Sequence, residues 1–261
     1  MAVGQEFTRA QDGTSLAFQV AGAGRPLVLL AGQANNHRWW DGAREDFEGA
    51  HRTITTDYRG TGASGKPDQP CSTEDFAEDV IAVLDALGID SADVYGTSMG
   101  GRSAQWLAIN HPDRVRRLVL GCTSPGGPHA VERDAAVRRA LAQPDRDAAE
   151  RALLELMYSP EWLASHDGPR TVLGDPDMPV HARHHLAASN GHNAWDRLDE
   201  ICSPTLVLHG ADDRMTPASN AELLAQRIPN AEAHVLPGLR HAYFHENRPV
   251  ASKLVGDFLA R

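Results

Sequence analysis

Cysteine is scarce in this chain, with three residues in 261, Cys71, Cys122 and Cys202. They are widely spaced, odd in number and outside any CxxC pair, which excludes a disulfide framework and a zinc knuckle. Free thiols in a reducing, cytoplasmic setting are the expectation. Basic charge is also short: 25 Lys and Arg face 35 Asp and Glu, a formal net charge of −10. Such a balance is poor for gripping a phosphate backbone, so no nucleic-acid partner is expected. Long apolar runs are missing. A run such as 27–31 (LVLLA) falls far below the roughly 20 residues a membrane helix needs. The N-terminal MAVGQEFTRA has no basic-then-apolar pattern of a secretory signal, so no membrane partner is expected. What is present is ordinary globular composition, 41% apolar and 23% charged, in a chain long enough to bury a core with a pocket in it. A small-molecule substrate and a monomer or homodimer fit this profile.

Short apolar runs of β character alternate with helical patterns. The segments 16–20, 27–30, 53–56, 93–95, 117–120, 205–209 and 233–236 read as strands. Several are continuously apolar, as in strands covered on both faces of a parallel sheet. The clearest helix starts after Ser72, an N-cap with Asp75 three residues on to complete a capping box. Its apolar positions Phe76, Val80, Val83, Leu84 and Leu87 keep the helical repeat before Gly88. Further helices are expected over 101–110, 218–227 and from Pro249 onward. The alternation predicts an open α/β sheet, mostly parallel and flanked by helices. It breaks between 124 and 199, where SPGGP opens a stretch with helical patterns over 130–142, 145–157 and 180–189. An insertion of this kind sits above the strand C-terminal ends, where ligands bind. The expected organisation is a core in two parts, 1–123 and 200–261, with a helical lid over 124–199.

The sharpest motif is Gly96-Thr97-Ser98-Met99-Gly100, directly after a strand and directly before a helix. This is the strand–turn–helix context of a nucleophile elbow. Ser98 would stand above the sheet, at a helix N-terminus that favours developing negative charge. A serine hydroxyl needs a base, and the base needs an orienting acid. Two later segments follow consecutive strands: Ala211-Asp212-Asp213, after TLVLHG, and Pro237-Gly238-Leu239-Arg240-His241, after AEAHVL. His241 is the candidate base, and the acid comes from the Asp212–Asp213 loop.

On LVLLAGQ, DYRGTGAS, GTSMGG, TLVLHGADDRMTP and LPGLRH, the chain resembles the α/β-hydrolase superfamily nearly end to end. The similarity is strongest to the branch of enol-lactonases, haloperoxidases or perhydrolases, and polyketide methylesterases. The resemblance implies a Ser98–Asp213–His241 triad, since the branch spacing G-x-x-D-x-x-x-P is met by Gly210, Asp213 and Pro217 and leaves Asp212 as a solvated loop residue. It also implies an oxyanion hole from the backbone N–H groups of Met99 and Gln33. The family commonly has His-Gly where this chain has Ala31-Gly32, so a loop-bracing side chain is missing there. No metal or organic cofactor is implied.

The expected reaction is cleavage of a carboxylic ester or lactone of a small to mid-sized, mostly hydrophobic substrate. The same triad also serves C–C bond hydrolysis, perhydrolysis, decarboxylation and lyase chemistry, and a non-catalytic ligand-binding protein is a further alternative. His37, Trp40, Tyr158, Trp162 and Trp195 are substrate-binding candidates, with Trp39, Met157 and His192 beside them. Asp57 and Arg59 read as loop bracing. His181, His184 and His185 read as a solvated helix face rather than metal ligands.

Overall fold

Residues alternate between two cores as each central strand runs through the sheet. In LVLL, Leu27 and Leu29 belong to one buried cluster, while Val28 and Leu30 belong to the other. That period of two, apolar on both sides, requires helices on both faces, and the structure supplies them. It is a computed structural model that describes residues 4–166, 170–176, 178 and 182–261.

Among the described residues eight strands form one sheet in the order β1-β2-β4-β3-β5-β6-β7-β8. These are β1 (Gln5–Arg9), β2 (Ser15–Gly22), β3 (Arg25–Leu30), β4 (His51–Thr56), β5 (Ala92–Thr97), β6 (Val115–Gly121), β7 (Thr205–Gly210) and β8 (Ala231–Leu236). β2 is antiparallel to both β1 and β4, and β4 through β8 are parallel. Each run read as a strand from sequence is a strand. β1 is an addition; its exposed edge residues carry too little apolar signal.

α1 (Thr73–Ala86) begins at the capping box: Ser72 Oγ accepts from Asp75 N and the Asp75 carboxylate accepts from Ser72 N. α2 (Met99–Asn110) leaves β5 without a loop residue beyond Ser98. Between β6 and β7 the described residues form α3 (Ala135–Leu141), α4 (Arg146–Met157), α5 (Pro160–Leu163) and α6 (Ala182–Gly191). The two ends of this inserted segment meet. Gly126 pairs with Asn193 in a short antiparallel bridge, Gly127 N donates to His192 O at 3.0 Å, and Ala194 N donates to Pro125 O at 2.9 Å. The first inserted helix starts later than 130, as the pattern had it, because Asn220 grips Val131 by both N–H and C=O, at 3.0 and 2.8 Å. That tertiary grip keeps Val131 outside the helix, which begins at Ala135. α7 (Ser219–Arg227), α8 (Tyr243–Glu246) and α9 (Arg248–Ala260) complete the chain. No helix among the described residues is long and apolar enough to cross a membrane.

Candidate active site

Ser98 occupies a backbone conformation that a side chain rarely adopts, φ 55° and ψ −121°. The sequence can sustain it because its neighbours leave no room for anything else. A Cβ on Gly96 would lie 2.3 Å from Gly100 O, and one on Gly100 would lie 2.3 Å from Leu30 O. The peptide is anchored on both sides: Ser98 N donates to Gly121 O at 2.8 Å, and Thr123 Oγ1 donates to Ser98 O at 2.7 Å. Strain of this size persists only where surroundings over-determine it, and it concentrates at functional sites.

His241 follows β8. The end of α4 holds its loop, with Ala242 N donating to Met157 O at 2.8 Å. Nδ1 of His241 is 2.7 Å from Oδ2 of Asp213. The other carboxylate oxygen, Oδ1, accepts from Met215 N at 2.8 Å and Thr216 N at 2.9 Å. Burial pushes the Asp213 carboxyl up, but His241 and His209 outweigh it and hold the group well below the usual carboxylate range. An ionised Asp213 is an acceptor only, so Nδ1 of His241 carries a proton. Asp212 is exposed, whereas Asp213 is buried.

Ser98 and His241 line one cavity of about 240 Å³. The same wall includes Gln33, Trp39, Arg102, Arg133, Met215 and Thr216, and the inserted segment adds Leu141, Leu153, Met157, Val172 and Ser189. A wider groove between β1 and α1 is lined by Arg59 and Asp79 and lies away from these residues. Gln33 sits in the turn after β3, and its loop is pinned from the inserted segment by His185, whose Nδ1 accepts from Ala34 N at 3.3 Å. His185 is fully buried, with Nε2 2.8 Å from Arg59 O, so it is a packing histidine and not part of a solvated face. His181 lies outside the described residues. Among the described residues no group of three or more His, Cys, Asp or Glu is placed to hold a metal ion.

The aromatic candidates are corrected. Trp39, not Trp40, faces the cavity, with its Nε1 donating to Thr97 Oγ1 at 2.8 Å. Trp40 packs into the core on Tyr95 and Phe244. His37 turns away to Asp57, 2.7 Å from Nδ1 to Oδ1. Tyr158 is buried with its hydroxyl 3.2 Å from His245 Nδ1, and Trp162 stacks on its far face at 4.3 Å. Trp195 stacks on His129 and under Arg227, at the neck of the inserted segment. None of these five lines the cavity beside Ser98. His192 is also spent elsewhere, with Nδ1 3.0 Å from Thr73 Oγ1. Asp57 braces its loop as expected, its Oδ2 accepting from Ala63 N at 2.9 Å. Arg102 and Arg133 went unread in the sequence. Arg102 stands one helical turn after Ser98, the one signal that could have marked it.

The chain belongs to the α/β-hydrolase family, whose fold model matches residues 25–156. It is 34% identical to a Caulobacter segnis protein assigned as carbamate hydrolase RutD, over 80% of this chain and 82% of that one. It is 32% identical to 2-hydroxymuconate semialdehyde hydrolase of Pseudomonas putida, covering 99% of this chain and 94% of the relative. Among solved structures, Est816, described as an N-acyl homoserine lactone degrading enzyme, superposes with a TM-score of 0.81 at 29% identity, over 97% of this chain and all, 100%, of that one. The fold and the hydrolase class are therefore established.

Proposed function

We propose that this protein hydrolyses a carboxylic ester or lactone of a small substrate through an acyl-enzyme on Ser98. The observation that carries the reading is the Ser98 elbow opening on the same cavity as His241, with Asp213 2.7 Å behind the imidazole. Asp213 fixes the proton on Nδ1, which leaves Nε2 as the ring nitrogen that takes the Ser98 proton. Ser98 Oγ attacks the carbonyl carbon, and the backbone N–H groups of Met99 and Gln33 receive the developing oxyanion. His241 then protonates the leaving alkoxide, and a water deprotonated by His241 attacks the acyl-enzyme and frees the acid. The inserted segment serves as a lid, since its Leu141, Leu153, Met157 and Val172 roof the cavity. At about 240 Å³ the space is below the roughly 300–1,000 Å³ of pockets for drug-sized ligands, which favours a small substrate.

A second reading is C–C bond hydrolysis, which the full-length similarity to a 2-hydroxymuconate semialdehyde hydrolase favours. Fluorophosphonate labelling and p-nitrophenyl ester turnover, wild type against Ser98→Ala, test the first reading. Both are expected in wild type, and both vanish in the variant. Labelling of Ser98 without turnover of any ester or lactone in a panel would transfer the conclusion to the second reading. Absence of labelling in folded protein would overturn both.

A further inference from the structure

Most buried or half-buried arginines in this molecule answer to a carboxylate. Arg59 is paired with Asp79 and Asp12, Arg116 with Asp93, and Arg44 with Glu48. The two in the cavity do not. Arg102 donates to Ser189 O and Oγ and, at 3.0 Å, to Ser124 Oγ, all of them neutral. Arg133 reaches only Met215 Sδ at 2.9 Å. Neither arginine is in an ion pair with any described residue. Glu132, next in the chain, is committed to Arg138 at 2.9 Å on the surface, and Asp213 is committed to His241. Burial, and for Arg102 the neighbouring Arg133 charge, lower the pKa of the Arg102 guanidinium to about 10, and burial lowers that of Arg133, the Glu132 charge offsetting only part of the effect on each. Two like charges in one small cavity are costly without an anion between them.

We propose that Arg102 and Arg133 form an anion subsite and that the substrate carries a carboxylate beside its scissile ester or lactone bond. The proposal deepens the Ser98 hydrolase reading and rests on it. Arg102 follows Ser98 by four residues on α2, about 6 Å along the helix axis. With Ser98 and both guanidinium groups on one cavity of about 240 Å³, the space suits a dicarboxylic acid hemiester of short chain, with its free carboxylate on the guanidinium pair while its ester carbonyl meets Ser98. Guanidinium groups are suited to this because their forked donors match the two oxygens of a carboxylate. The expectation of a mostly hydrophobic substrate then holds for the lid wall and fails at this corner.

The test compares mono-p-nitrophenyl glutarate with the isosteric neutral ester p-nitrophenyl 5-methylhexanoate. Wild type is expected to favour the anionic ester at least tenfold in kcat/KM. Arg133→Gln is the first variant, because Arg102 also clamps Ser189 and Ser124 and its loss could unsettle the fold. Arg133→Gln is expected to cut the anionic-to-neutral ratio at least tenfold, and Arg133→Lys to recover part of it. A wild-type ratio under threefold, or a ratio that Arg133→Gln leaves unchanged, would overturn the subsite. Should neither ester turn over, titration calorimetry of glutarate into folded Ser98→Ala protein decides. Binding that is lost in Ser98→Ala/Arg133→Gln keeps the anion subsite while the ester reading falls. No binding removes the subsite.

Discussion

The Asp213 carboxylate stands between two histidines, with Oδ2 2.7 Å from Nδ1 of His241 and 3.3 Å from Nε2 of His209. Its other oxygen is already taken by two backbone N–H groups, Met215 and Thr216. This arrangement determines how an amide would sit. In Asp213→Asn the carbonyl oxygen goes to the Met215 and Thr216 donors, so the amide NH2 faces His241. A donor there drives the imidazole proton to Nε2, the wrong nitrogen for a base. The expected loss is about 10⁴ in kcat with little change in KM, measured by steady-state ester hydrolysis.

Gly100→Ala is expected to fail at folding before it fails at catalysis. Its Cβ would lie 2.3 Å from Leu30 O and 2.6 Å from Ala31 O, both backbone atoms that cannot swing aside. A destabilisation above about 3 kcal/mol follows from forcing α2 off β3. Gly256, inside α9, is the contrast, since a Cβ there meets nothing within 4 Å. Gly256→Ala should stabilise by about 0.5–1 kcal/mol. Urea denaturation of the two variants checks both signs.

Gly32→Ala tests the loop assigned to oxyanion binding. The added Cβ would lie 2.8 Å from the far edge of the Trp39 ring. Trp39 is tied by Nε1 to Thr97 beside Ser98 and cannot retreat freely, so the Gln33 turn moves instead. Loss of one oxyanion donor costs about 10²–10³ in kcat. Fluorophosphonate labelling of Ser98 should slow alongside, while the melting temperature shifts by a few degrees only.

His245 sets a pH signature of stability. Burial lowers its pKa from 6.5 to about 4, against a backbone contact with Trp39 that raises it and with the Arg248 charge adding to the lowering. Above pH 6.5 the ring is neutral in both folded and unfolded chains and contributes nothing. Below that the unfolded chain binds a proton the folded one refuses, so stability falls with pH until about 4. The loss reaches on the order of 3 kcal/mol. His192, also held well below its ordinary value by burial, acts with the same sign. The penalty of His245→Gln, taken from urea midpoints, should therefore be larger at pH 7 than at pH 4.

What the sequence made legible is what depends on short-range pattern. The capping box at Ser72 and Asp75, the continuous apolar strands and the glycines around Ser98 each express a local requirement, and all appear where expected. Side-chain direction in irregular turns is a different matter. Trp39 and Trp40 are adjacent in one 3-10 turn, about 120° apart around its axis, and which of the two meets the cavity and which the core depends on Thr97, Tyr95 and Phe244. Val131 is gripped by Asn220, nearly ninety positions later, as no local periodicity could reveal. The missing counter-ions of Arg102 and Arg133 are likewise a property of the assembled cavity.

The neck of the inserted segment has a consequence of its own. Since Gly126 and Asn193 pair at its base, the excursion begins and ends at one closed point beyond the C-terminal end of β6, inside the sheet and not at its edge. The entropy of joining those ends is met by the backbone pairs themselves, and added length costs little more. The far end of the excursion, around α3, can change in length without moving Ser98 or Asp213. The end of α4, which holds the His241 loop through Leu156 O and Met157 O, and His185, which pins the Gln33 loop, instead tie substrate range and machinery together.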